Sequence, residues 1–293
     1  MLAGLLPFVS SGAISRLGLT TGTALIYLAG TAVIAAALLH SRVRAVLATE
    51  SVVLIRDSGT RGRFALGLAG FLVAGVAYYV GLARSPRVAE YVFLTRLDWL
   101  VQASVAVIWL REPWTGRGLA GGALALAGGL LLAWSGAFGA SGLTAAGIYV
   151  LASLAGYSCF TPLAAARGTH GALALTVWRH WVNTAGFVAL AVVLAPPTSS
   201  PSPLGLALAA LGGLAIVFLF LLRFTALTGL PLWVLSAQAP TQALVAIAVS
   251  LVTTGSLRAT TLAGIALVVV GEVLVTSSTK HTSPAGDPVL RRR

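Results

Sequence analysis

Residues 117–136 read RGLAGGALALAGGLLLAWSG, and residues 260–279 read TTLAGIALVVVGEVLVTSST. With one laid over the other at a constant offset of 143, Leu119-Ala120-Gly121 falls on Leu262-Ala263-Gly264, Ala123-Leu124 on Ala266-Leu267, Gly128 on Gly271 and Leu131 on Leu274. The same offset continues upstream without a gap, placing 64–136 over 207–279 and Ala83 on Ala226. Leu and Ala coincide by chance among apolar helices. Two glycines seven residues apart, in register across 73 positions, do not follow from composition alone, and the pattern points to an internal duplication. Each run is also about the 20 residues that a helix needs to cross the hydrocarbon core of a bilayer.

The rest of the chain agrees with that reading. Its 293 residues are 58% hydrophobic and 9% charged, with a mean hydropathy of +0.95, which excludes an ordinary water-soluble domain. Apolar runs between charges and Gly/Pro/Ser breaks give ten expected spans: 2–16, 20–40, 64–84, 87–110, 117–136, 142–166, 171–195, 204–227, 232–253 and 259–278. The first is short and contains Pro7, Ser10, Ser11 and Gly12, so it reads as a tilted, broken or incomplete span, with nine spans as the alternative count. Two halves, 1–140 and 141–279, then hold five spans each, followed by a disordered cytoplasmic tail, 280–293. An odd number of spans per copy forces the second to enter the membrane upside down. The expected fold is therefore an all-α membrane protein of ten transmembrane helices in two inverted five-helix repeats, an arrangement common among secondary transporters.

A net charge of +12 would suggest nucleic acid in a soluble protein, but here the basic residues lie mostly between spans. With both ends inside, twelve fall on the inner side (Arg42, Arg44, Arg56, Arg61, Arg63, Arg111, Arg117, Arg167, Lys280, Arg291, Arg292, Arg293) and four outside (Arg16, Arg84, Arg87, Arg258). That asymmetry predicts a multi-pass inner (plasma) membrane protein with both termini cytoplasmic, in contact with anionic lipid and not with nucleic acid. The N-terminus has no basic stretch followed by a small-residue cleavage site, so it reads as a first span and not a removed signal peptide. One cysteine, Cys159, makes no internal disulfide, and no metal or other cofactor is expected.

Polar residues within spans are costly and therefore informative. The expected fourth span carries Arg96 and Asp98, with Thr95, Asp98 and Gln102 on one face and Trp99 beside it. Asp98 lies about 16 Å along the helix, near the midplane. The seventh carries Thr176, Arg179, His180, Asn183 and Thr184 at i, i+3, i+4, i+7 and i+8, flanked by Trp178 and Trp181. The ninth has Gln238, Thr241 and Gln242 beside Pro240, and the offset puts Thr241 on Asp98. Tyr149, Ser153, Tyr157 and Thr161 run at steps of four on the sixth, and Tyr78 and Tyr79 sit on the third. The aromatic residues either fill helix contacts or wall a substrate cavity. Arg223, near the inner end of the eighth span, is expected to snorkel to the interface. Glu272 and His180 are candidate coupling groups that could carry a proton.

Gly81-Leu82-Ala83-Arg84-Ser85-Pro86, Leu110-Arg111-Glu112-Pro113 and Gly118-Leu119-Ala120-Gly121 to Gly128 resemble the EamA repeat of the drug/metabolite transporter superfamily. Thr225-Ala226-Leu227, Gln238-Ala239-Pro240 and Gly264 to Gly271 resemble its second copy, although Gly255 stands where the first copy has Glu112. The resemblance implies an exporter of amino acids or other metabolites, similar in length and layout to the ten-span amino-acid exporters of the YddG type. On that reading Arg96 or Arg179 holds a carboxylate, Asp98 an ammonium, and Tyr78, Trp99, Tyr157 and Trp178 a neutral side chain. The partners are a small-molecule substrate and the lipid bilayer, with the chain a monomer or homodimer. A phosphate-bearing metabolite or nucleotide-sugar exchanger is the alternative. No H-E-x-x-H or P-loop motif occurs, so neither an intramembrane enzyme nor direct use of ATP is expected.

Overall fold

The computed structural model describes residues 2–56, 58–85, 88–95, 115–134, 140–165, 171–194, 201–227, 249, 252 and 259–278, and the regular structure among them is helical. In chain order the helices are α1 (Leu2–Leu17), α2 (Leu19–Leu38), α3 (Ser41–Arg56), α4 (Ser58–Arg84), α5 (Val88–Thr95), α6 (Gly116–Trp134), α7 (Ala140–Ala165), α8 (Ala172–Leu194), α9 (Pro203–Leu227) and α10 (Ala259–Ser278). Four of these, α2, α4, α8 and α9, are long and apolar enough to cross a membrane. Shorter apolar stretches lie in α1, α6, α7 and α10. Most of the expected fourth and ninth spans, and the tail from 280, lie outside the described residues.

The N-terminal segment is unbroken. Despite Pro7, α1 is continuous from Leu2 to Leu17. A single residue, Gly18, separates it from α2 at φ 81°, a left-handed conformation that glycine adopts without a Cβ penalty. The Gly18 N–H donates to the Ile14 carbonyl at 2.9 Å.

One difference is α3, which occupies most of the stretch read from sequence as a 41–63 connection. Arg, Ala, Leu and Glu favour helix. Leu47, Glu50 and Leu54, spaced i, i+3 and i+7 on one face, are the residues that α3 buries. Helix α4 accordingly starts at Ser58 and not at 64. Glu50 explains why α3 docks where it does: the Ala174 N–H donates to its Oε2 at 2.8 Å. Ala174 is the third residue of α8, one of the four N–H groups that a helix cannot satisfy internally, and the carboxylate also faces the positive end of the helix dipole. The Trp178 indole N–H adds a bond to Ser51 Oγ at 2.9 Å.

The apolar helices pair through glycine. Helix α4 lies along α7, α6 along α10, and α9 against both α1 and α2, while α8 packs on α2. A Cβ added at Gly70 would meet the Gly156 nitrogen, so the α4 and α7 backbones approach directly. Gly121 faces the Gly271 carbonyl, and Gly128 faces that of Gly264. Packing of this kind suits helices in lipid, which gain little from burying apolar surface against one another. Two aromatic-rich clusters fill the interior. One centres on Phe64, Phe71, Tyr157, Phe160 and Phe224, and the other on Tyr27, Tyr79, Tyr91, Phe187 and Ile216.

Candidate functional site: an arginine- and tyrosine-lined cavity

A cavity opens at the seam between the two clusters. It is lined from α1 by Leu6 and Pro7, from α2 by Tyr27, from α4 by Phe71, Ala74, Gly75, Tyr78 and Tyr79, from α7 by Tyr149, Ser153 and Tyr157, from α8 by Arg179, and from α9 by Ile216, Leu219, Phe220 and Arg223. About 90 Å³ of it can be occupied by water, several times the roughly 10–15 Å³ that one water requires. It is therefore a hydratable chamber and not a packing defect.

Arg179 dominates its chemistry. Its guanidinium lies 3.3 Å from the centroid of the Phe220 ring and 5.0 Å from that of Phe71, with the residue only 6% exposed. Ring faces attract a cation by about 2 kcal/mol when it is desolvated, but they do not neutralise it. Its Nε has no hydrogen-bond partner, and no carboxylate lies among the described residues lining the cavity. Burying a charge costs several kcal/mol unless it is paired, so this site favours an incoming anion. Arg223, 4.5 Å over the Tyr157 ring, brings a second guanidinium to the same wall.

The tyrosines form a connected surface. The ring centroids of Tyr27 and Tyr79 are 6.1 Å apart, those of Tyr78 and Tyr79 5.3 Å, and those of Tyr78 and Tyr149 5.5 Å. Tyr27 stacks on Phe187 at 4.8 Å. Such rings offer an apolar face and a polar tip to one ligand.

The polar stripe of α8 is buried throughout, yet it serves several partners. His180 Nε2 lies 2.9 Å from the Tyr27 carbonyl. A carbonyl only accepts, so in this contact Nε2 carries the proton and Nδ1 is left as a bare acceptor with no partner. Thr184 Oγ1 is 2.9 Å from Thr31 Oγ1, and the Asn183 amide donates to the Tyr27 hydroxyl at 3.5 Å. Thr176 bonds the Ala172 carbonyl of its own helix at 2.7 Å. Only Arg179 of the stripe reaches the cavity wall, while Asn183 touches it through Tyr27. Trp178 lies in the seam with α3, edge-on to Trp181 at 5.5 Å, and does not line the cavity.

Of the residues singled out from sequence, the structure therefore brings together Tyr78, Tyr79, Tyr149, Ser153, Tyr157, Arg179 and Arg223. His180 and Asn183 stand behind them, and Trp178 stands apart. Glu272 is buried on α10, a helix packed on α6, and is not a lining residue. Arg96, Asp98, Trp99, Gln102, Gln238, Thr241 and Gln242 lie outside the described residues. Tyr27, Phe71 and Phe220 carried no distinguishing signal, since aromatic residues in apolar helices are ordinary. Among the described residues no group of three or more His, Cys, Asp or Glu side chains could hold a metal.

No protein-family model matches the chain, and no curated protein matches it. Among solved structures, one described only as the crystal structure of a protein superposes with a TM-score of 0.60 at 20% sequence identity. The match covers 96% of this chain and 99% of that one. At this identity it shows a shared fold, extending over nearly the full length.

Proposed function

We propose that the chain is a secondary transporter that moves a small metabolite bearing an anionic group, amino acids foremost, by alternating access. The observation that carries this reading is Arg179, a buried guanidinium held between two rings on the wall of a hydratable cavity with no carboxylate among the described lining residues. An α-carboxylate completes that site. The ammonium of an amino acid would be the task of Asp98. Export, residence in the inner membrane with both termini cytoplasmic, and membership of the EamA-like drug/metabolite transporters belong to the same proposal.

Two inverted five-helix repeats are the architecture this requires, and three features support it. The offset of 143 carries Gly116 to 259 and Arg84 to 227, the first residue of α10 and the last of α9. It also carries Gly121 to Gly264 and Gly128 to Gly271, so the Gly121–Gly271 contact exchanges with the Gly128–Gly264 contact, as a twofold lying in the membrane plane demands. The cavity, finally, is walled by α1 with α7, α2 with α8 and α4 with α9, which are corresponding helices of the two halves.

Proteoliposome flux tests the proposal. Arg179→Gln and Asp98→Asn should each abolish amino-acid flux, and wild-type flux in both would refute this assignment. The paired guanidiniums of Arg179 and Arg223 favour one second reading, an exchanger of phosphate-bearing metabolites. It predicts transport that depends on a counter-substrate and ignores free amino acids.

A further inference from the structure

A second cavity lies away from the first, between α2, α8 and α9 and beneath the start of α3. Its volume is about 200 Å³. Ile34, Ala37 and Leu38 of α2, Val43 of α3, Val177 of α8 and Val217 of α9 are among its walls. The one hydroxyl on that wall, Thr176, is already bonded to the Ala172 carbonyl. Water would find almost no partners there, and apolar cavities of this kind stay dry or take an apolar guest. Charge lies beside it in sequence. Arg42 and Arg44 flank Val43 in sequence, about 100° round the helix from it in either direction, and both are exposed. Helix α3 also exposes Val46, Val52, Val53 and Ile55, while Leu47, Glu50 and Leu54 hold it to the protein. An exposed helix that mixes arginine with aliphatic side chains is suited to the headgroup region of a bilayer.

We propose that this crevice is a binding site for one anionic glycerophospholipid, with an acyl chain between α2, α8 and α9 and the phosphate at Arg42 and Arg44. The ligand combines what the two parts of the site need separately: a flexible apolar chain for a dry pocket and a negative group for two exposed guanidiniums on either side of Val43. Lipid bound there touches α8, the helix that carries Arg179, at Thr176 and Val177.

Native mass spectrometry of the purified full chain, equilibrated with equal amounts of phosphatidylglycerol and phosphatidylcholine, tests the site without any transport substrate. Its failure is therefore separable from failure of the transporter reading. The wild type should retain one phosphatidylglycerol at least tenfold in preference to phosphatidylcholine. Arg42→Gln/Arg44→Gln should lose that preference. Ala37→Phe, which fills the crevice from an exposed helix position, should lose retention of either lipid while eluting and melting as the wild type does. Equal retention of the two lipids by the wild type, or unchanged phosphatidylglycerol retention in Ala37→Phe, would overturn the proposal.

Discussion

Arg179 and His180 are neighbours in sequence, yet a 100° turn of helix sends one into the cavity and the other to the Tyr27 carbonyl. Their substitutions should therefore separate in kind. Arg179→Lys keeps the charge but loses the planar guanidinium that lies against Phe220 and that, on the proposed function, would fork to the substrate's carboxylate. Losing a charge-assisted bond of about 1.5–3 kcal/mol predicts substrate affinity weakened about 10- to 150-fold, read by isothermal calorimetry, with little change in melting temperature. Gly30 should behave in the opposite way. A Cβ at that position would run into the His180 ring and close on the Gly213 carbonyl. Gly30→Ala should thus cost about 1–3 kcal/mol by overpacking, more than alanine's helix preference of about 1 kcal/mol restores. A wild-type or higher melting temperature in detergent would contradict that contact. The periodic stripe on α8 was readable from residue spacing. The division of its members among cavity, α2 and α8's own backbone was not, because spacing specifies a face and not the neighbour that meets it.

Helix α3 shows where reading by hydropathy stops. Arg42, Arg44, Glu50 and Arg56 are spread along SRVRAVLATESVVLIR, so a window average scores the stretch as a polar connection. What makes it an element is three buried side chains and two hydrogen bonds from α8. Glu50→Gln keeps the shape but removes the charge that faces the N-terminus of α8. It should destabilise the protein by about 1–2 kcal/mol, and hydrogen exchange should quicken selectively at the first turn of α8. Uniform exchange along α8 would show that Glu50 does not cap it. The Arg223–Tyr157 contact was not legible for a related reason. A charge near the end of a span ordinarily reaches for water, and nothing local to Arg223 announces that Tyr157, 66 positions earlier in the chain, lies beneath it.

Alternating access makes a demand on the entire bundle: the cavity must open to each side in turn. Ser153 lies on the cavity wall and is 2% exposed. In a Cys159→Ala background that removes the lone native thiol, Ser153→Cys should react with membrane-impermeant maleimide from both sides of a sealed vesicle, slowly, and substrate should slow it further. Labelling from one side only, unaffected by any substrate, would argue for a static pocket. The membrane character was available before any coordinates, because hydropathy is a property summed along the chain. The cavity was not, because it depends on how α1, α2, α4, α7, α8 and α9 are rotated about their axes. Those rotations are set by contacts such as Gly70 on Gly156, between residues far apart in sequence, where a step of one residue exchanges a wall of the chamber for the surface behind it.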